Sequence, residues 1–298
     1  MSAMLPFDVE VREVNRLSEN FVRITFCGAE LDRFGVHGPT YDLRVKVMVP
    51  GVGPGPDYKQ LLQSPTWYSE WKQLDPDTRG YMRTYTAREY RAGADPQLDV
   101  DFVMHLGDSA GPASAWASQA AVGDRLTLIG AHRDHPAGRA AIEWRAQPGQ
   151  RVLIAGDETA VPAICAIVET LAPDTVGDVV VEVPSADDIQ TLRAPAGVGV
   201  RWLARDGAAH GSLLSGAVRK IVRPAAADAP VQVDDEGDEM LWESAEVDAA
   251  ATGTPYAWIA GESSSVKAIR RYLVGECGWD RKSVSFMGYW RRGHSESI

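Results

Sequence analysis

The chain has 298 residues, 45% of them hydrophobic and 24% charged, with a formal net charge of -11, a soluble globular composition about two domains long. That acidic balance argues against nucleic acid and against stable docking on anionic membranes, both of which present phosphates to a basic field, so an anionic ligand needs a local basic pocket. Three scattered cysteines, Cys27, Cys165 and Cys277, suit neither a disulfide framework nor a metal or cluster ligand set, and the start MSAMLPFDVE lacks the features of a signal peptide, so a cytoplasmic protein without bound metal is expected.

Residues 9–17 (VEVREVNRL), 20–28 (NFVRITFCG) and 41–50 (YDLRVKVMVP) alternate apolar and polar side chains, the period of half-buried strands. Residues 51–80 carry Gly, Pro, Trp67 and Trp71 with weak periodicity and read as an inserted loop with one short helix. Alternation resumes at 97–106 and 123–132, around a short helix begun at PASAWASQA. Several short strands and one brief helix predict a closed antiparallel barrel.

The second half changes character. RVLIAG is a short apolar run followed by helical spacing in DETAVPAICAIVETL, and DVVVEV, VGVRWL, YAWIAG and SVSFMGYW follow with helices between them, the pattern of a parallel sheet. We therefore expect a β domain at 1–147 and an α/β domain at 148–298, the latter interrupted by an Ala-, Asp- and Glu-rich exposed crossover at 224–255.

Two stretches carry chemistry. YMRTYTAREYR concentrates tyrosine and arginine in an acidic chain: a guanidinium at Arg83 pairs with phosphate, Tyr85 offers a ring face, and the Thr86 hydroxyl can bond a ring nitrogen. About twenty residues on, Gly111 and Pro112 turn the chain into a helix whose first amides suit a pyrophosphate. The loop IAGDETAVPAI follows a strand and opens a helix, as a dinucleotide loop must, but has the single glycine Gly156. After the next strand Asp187 and Asp188 stand where a ribose would be read; an acid there bonds a 2'-hydroxyl and repels a 2'-phosphate, which tilts the choice weakly toward NADH over NADPH. His132, Asp134 and His135 lack the spacing of a metal site.

Arg-x-Tyr-Thr on a barrel strand resembles the flavin mark of the ferredoxin-NADP reductase superfamily. Together with DFVMHLGDSAGPASAWA, IAGDETAVPAI, YAWIAGESSSVKAIRRYL and GYWRRG in this order, the chain resembles the siderophore-interacting proteins, flavin-dependent ferric-siderophore reductases. The resemblance implies a flavin-binding barrel followed by a nicotinamide-binding α/β domain, with electrons passing from NAD(P)H through FAD to Fe(III) in an anionic siderophore. It places Arg83, Tyr85, Thr86, His105, Gly111, Ala113 and Ser114 against FAD, and Gly156, Asp157, Thr159, Gly261 and Glu262 against the nicotinamide coenzyme. Lys46, Arg133 and Arg291 become candidates for attracting the ferric chelate, with no acid-base catalyst required. A monomer is expected. The alternatives are a general flavin reductase and a siderophore-binding protein without redox activity.

Overall fold

Alternating burial builds the first unit. In the computed structural model, which describes residues 2–104, 111–224, 240–246 and 254–293, the chain divides after Ile142 into two compact units. Seven strands make the first: β1 (Met4–Arg16), β2 (Phe21–Cys27), β3 (Arg44–Val49), β4 (Tyr81–Thr86), β5 (Glu89–Arg91), β6 (Gln97–Val103) and β7 (Arg125–Ala131). They pair antiparallel in the order β4-β3-β7-β1-β2-β6-β5. Phe7, Val9 and Val11 of β1 and Val45, Val47 and Val49 of β3 are buried at every second position, as the pleat requires.

The ladder does not close into the expected barrel. It is a half-barrel, bent where the register of β1 shifts between Val11 and Glu13. Edge strand β4 instead approaches β6, the last strand but one at the other side, through side chains, with the Tyr85 ring 4.5 Å from Phe102.

Residues 51–80 hold three short helices where one was expected: α1 (Tyr58–Leu61), α2 (Trp67–Gln73) and α3 (Pro76–Arg79). Asp57 and Asp75 start the first and last by accepting from the Gln60 and Asp77 amides. Trp71 packs into Met48, Leu62 and Ile129 on the outer sheet face, with the Arg79 guanidinium 4.8 Å from its ring. Helices of four to seven residues are too short to print a helical period on the sequence.

The second unit is a sheet in the order β10-β9-β8-β12-β13-β11. Its strands are β8 (Val152–Gly156), β9 (Gly177–Val183), β10 (Val198–Ala204), β11 (Trp242–Glu243), β12 (Tyr256–Glu262) and β13 (Val284–Trp290), all parallel except β11. The chain leaves β8 toward β9 and β10, then returns through α6 (Ser212–Ile221) to β12 on the other side of β8. Strand order therefore reverses between β8 and β12, where open α/β sheets bind ligands at their carboxyl ends. Between β8 and β9, α5 (Val161–Val168) is buried at every residue and admits Pro162 in its first turn. Gly156 is needed beneath it, because a Cβ there would stand 2.5 Å from that of Ala160 and 2.7 Å from the Ala260 carbonyl.

The acidic crossover is not simply an exposed loop. Its residues Trp242 and Glu243 form β11, which pairs with Met287 and Phe286 of β13 and becomes the sheet edge. The Glu243 carboxylate takes two hydrogen bonds from Arg270, at 3.0 and 3.1 Å, and another from Arg281. The rest of that segment, residues 225–239 and 247–253, lies outside the described residues. Among the described residues, no helix is long and apolar enough to cross a membrane.

Candidate functional site

In the first unit, the candidate flavin residues sit on β4 and on α4 (Pro112–Gln119). β4 pairs with β3 so that Val47 faces Arg83, Val45 faces Tyr85, and Lys46 faces Thr84. Arg83 and Tyr85 thus share one face of the strand, while Lys46, Thr84 and Thr86 share the other. The Arg83 guanidinium donates to the Met82 carbonyl at 2.9 Å and lies 6.0 Å from the Tyr81 ring.

A chain of aromatic rings ties this strand to α4. Tyr85 packs on Phe102, Phe102 lies 5.9 Å from Trp116 of α4, and Trp116 stacks on Phe26 at 6.2 Å. Trp116 therefore fixes the helix to the sheet. The Ser114 hydroxyl donates to the Val103 carbonyl at 3.0 Å and pins the first turn to the end of β6. Gly111 occupies the N-cap position with no side chain to accept from the helix, and among the described residues nothing lies within 4 Å of the point where its Cβ would be. Ala113 and Ser114 are buried directly behind it. A cationic side chain, an aromatic ring and a helix start without a side-chain cap form the donor set that a flavin nucleotide's phosphates and ring need, so these residues fit FAD. His105 lies outside the described residues.

The three candidate substrate cations are placed differently. Lys46 donates to Thr84 Oγ1 at 2.8 Å. Arg133 is bound to its own domain: its guanidinium donates to the Tyr90 hydroxyl and to the Phe34 carbonyl, and lies 5.2 Å from the Tyr90 ring. That side chain holds β5 against the turn after β7, a structural use that its sequence context did not signal. Arg291 follows Trp290 at the end of β13, in the second unit. His132 and His135 each accept a backbone amide, from Asp134 and Ala137, and Asp134 pairs with His37 at 2.8 Å. A separate cleft of about 550 Å³ opens between the insertion and the outer sheet face, walled by Asp8, Glu10, Met48, Arg79 and Arg125, and includes none of the flavin residues.

In the second unit, the carboxyl ends of the strands carry a network of buried carboxylates. Asp157, just after β8, accepts from the Thr159 amide and hydroxyl at 2.9 and 2.5 Å, from the Glu262 amide at 2.7 Å, and from Trp290 Nε1 at 2.9 Å. One carboxylate thus ties together the ends of β8, β12 and β13. Gly261 lies against it with φ +143°, and a Cβ there would stand 2.6 Å from Asp157 Oδ2. Glu262 caps α7 (Ser263–Arg270) by accepting from the Ser264 and Ser265 amides at 2.8 and 3.0 Å. Burial alone would raise its carboxyl, but these donors hold it below the usual range.

Glu158, Glu182 and Arg205 complete the edge. The Arg205 guanidinium makes a two-point pair with Glu158 at 2.7 and 2.9 Å and reaches Glu182 at 3.4 Å. Glu182 also accepts the Gly211, Leu213 and Leu214 amides that begin α6. His210 stands 3.6 Å from Glu158 and edge-on to the Trp290 ring at 5.0 Å, and burial pushes its imidazole toward the neutral form. Asp157, Glu158 and His210 are close enough to suggest a metal cluster, but the carboxylate oxygens are already directed at Thr159, Trp290, Glu262 and Arg205. Sequence reading missed Glu182, Arg205 and His210. One signal was available: a glutamate inside the apolar run VVVEV demands a buried partner. Asp188 corrects the reading of the ribose acids, since its carboxylate is buried and accepts from the Ser185 amide and hydroxyl at 3.0 and 2.9 Å. Asp187 remains exposed.

Burial, with the Glu158 charge beside it, pushes the Asp157 carboxyl up to about 7 from an ordinary 3.8. Between those values the folded chain holds a proton that the unfolded chain has released. The associated stability is complete below 3.8 and is lost as pH rises through about 7. The stability of the second unit should therefore fall between about pH 4 and 7, by at most about 1.4 kcal/mol per pH unit, and level off above, with the melting temperature following it. Asp157→Asn should flatten that profile in calorimetric scans.

Comparison with known proteins matches the description "Siderophore-interacting FAD-binding domain" to residues 10–135 and "Siderophore-interacting protein" to residues 149–293. Ferric vibriobactin reductase ViuB of Vibrio cholerae is 30% identical over 94% of this chain and 87% of its own length. The chain belongs to the siderophore-interacting protein family. Among solved structures of siderophore-interacting proteins and their kin, a siderophore utilization protein from T. fusca is 28% identical, with a TM-score of 0.72 over 100% of this chain and 97% of that one. A further relative of this siderophore-interacting protein, the NADPH-dependent ferric-chelate reductase of Escherichia coli, is 27% identical over 95% of this chain and 92% of its own. Ferredoxin-NADP+ reductase from Plasmodium falciparum, 10% identical with a TM-score of 0.58 over 94% of each chain, shares the fold.

Proposed function

We propose that this protein is an FAD-dependent ferric-siderophore reductase that takes electrons from NAD(P)H. The observation that carries the reading is the coupling of Tyr85, which shares its face of β4 with Arg83, through Phe102 and Trp116 to α4, whose start has Gly111 at the N-cap and no side-chain cap. A cation, a ring face and a helix start are held in one rigid block, which suits a bound dinucleotide better than a diffusing substrate. FAD supplies the exchange of a two-electron hydride for the single electrons that Fe(III) accepts. Arg83 and the first amides of α4 would hold its phosphates, Tyr85 would cover its ring, and Thr86 would bond the ring edge. Fe(II) is held more weakly than Fe(III) by hard oxygen ligands, so reduction alone releases the metal. Reduction of this kind needs positioning and electrostatics rather than a proton-transfer residue.

The reading includes NADH as the preferred coenzyme, an anionic ferric chelate as substrate, and a monomer in solution. Its relatives do not fix the coenzyme, because the Escherichia coli protein is named for NADPH. Anaerobic stopped-flow mixing with NADH or NADPH, followed by a panel of ferric chelates, tests the whole sequence. Bleaching of the flavin by coenzyme and its recovery with ferric chelates are expected. Faster recovery with free flavin or ferredoxin than with any chelate would replace the reading by a general flavin reductase, and a protein unable to take up FAD would end it.

Lys46 tests the substrate end. Lys46→Glu should raise the KM for an anionic ferric chelate by about 2–5-fold, as a single solvent-screened charge contact allows, and leave a neutral chelate unaffected. Equal effects on both chelates in steady-state assays would remove Lys46 from substrate attraction.

A further inference from the structure

The carboxyl edge of the second sheet is unusually well supplied with acids for a surface that meets a nucleotide. Asp157 and Glu158 end β8, Glu182 lies near the end of β9 with Asp187 and Asp188 beyond it, and Asp206 follows β10. Three of these groups, with Glu262, occupy helix-start amides that could otherwise receive phosphate: Asp157 takes Thr159, Glu182 takes Gly211, Leu213 and Leu214, and Asp188 closes its own turn. The guanidinium buried at this edge is Arg205, and it is spent; exposed Arg292, whose amide donates to Glu262, adds a positive charge near His210. Both terminal nitrogens of Arg205 are engaged by Glu158, and one also by Glu182.

The geometry points to Glu158 as the residue that sets coenzyme choice, by withholding Arg205 from a 2'-phosphate. The inference rests on the NAD(P)H reading above and names its specificity determinant. An arginine near the end of these strands accommodates a 2'-phosphate, whereas an acid there accepts from a free 2'-hydroxyl. Here two carboxylates face one guanidinium, so the buried group carries net negative charge, and His210, held neutral by burial, does not offset it. Exposed Asp187 supplies the hydroxyl acceptor. A 2'-phosphate set against this buried group would therefore meet net negative charge, while the NADH ribose would not.

The test uses the FAD-loaded protein, Glu158→Gln and Asp187→Arg. Calorimetric titration with 5'-AMP and 2',5'-ADP reads the phosphate effect without electron transfer, and stopped-flow flavin reduction with NADH and NADPH reads it in turnover. Wild type should bind 5'-AMP at least about tenfold more tightly than 2',5'-ADP and favour NADH by a similar factor, the scale of a like-charge contact. Glu158→Gln, which frees one side of Arg205, should shrink both ratios by about tenfold. Asp187→Arg changes only an exposed position and should shift them the same way even where the buried variant folds poorly. Wild-type preference for 2',5'-ADP or NADPH would overturn the inference. So would unchanged ratios in a folded Glu158→Gln protein, or in Asp187→Arg where Glu158→Gln does not fold. Failure of the underlying reading looks different: bound flavin that neither coenzyme reduces, with neither nucleotide bound, which removes the inference along with it.

Discussion

Arg83→Ala is expected to cost the protein its flavin. A charge-assisted contact to phosphate contributes roughly 1.5–3 kcal/mol, so FAD should bind about 10–100-fold more weakly. The loss should appear as a fall in the absorbance ratio at the flavin and protein bands after gel filtration, and as a raised Kd in calorimetry. Stability should change little, because among the described residues the Arg83 guanidinium donates only to the neighbouring Met82 carbonyl. Arg83→Lys keeps the charge but not the planar fork, and should recover part of the affinity. Full flavin content in Arg83→Ala would dissociate β4 from the cofactor.

Glu182→Ala should have the largest effect on folding. The carboxylate is fully buried, serves three amides at the start of α6 and helps neutralise Arg205. Its removal leaves buried donors unpaired and should cost about 3–5 kcal/mol, a large share of the stability a domain has. Urea titration should show the transition of the second unit moving to lower denaturant while that of the first stays in place. Glu182→Gln retains one acceptor oxygen and should cost less. Equal midpoints for wild type and Glu182→Ala would mean that water satisfies these amides.

The sequence makes the strands of both units legible, because β1, β3, β8 and β9 each express a single burial period, alternating or continuous. The flavin strand was legible for a different reason: Arg83, Tyr85 and Thr86 are consecutive enough to be seen as one motif. The carboxylate edge was not. Glu158 and Arg205 are 47 residues apart, Glu182 and Gly211 are 29, and Asp157 and Glu262 are 105, so only the folded sheet brings donors to acceptors. Local spacing even misled, since Asp188 in SADD reads as a ribose ligand and folds as the cap of its own turn. β11 escaped for want of length, two residues within a segment whose acidity dominates its pattern.

Burial also alters what the overall charge means. Ten carboxylates are buried in the described residues against three arginines, and nine more acids, with no lysine or arginine, fall in segments outside them. Those two groups account for more than the whole formal -11, so the remaining described residues, exposed or half-buried, carry 27 basic and 22 acidic side chains. The composition describes an acid, as isoelectric focusing of the unfolded chain would. Among the described residues, those outside the core carry a slight excess of positive charge, and ten of the acids that the composition sets against an anionic chelate are buried, several of them holding helices to strands.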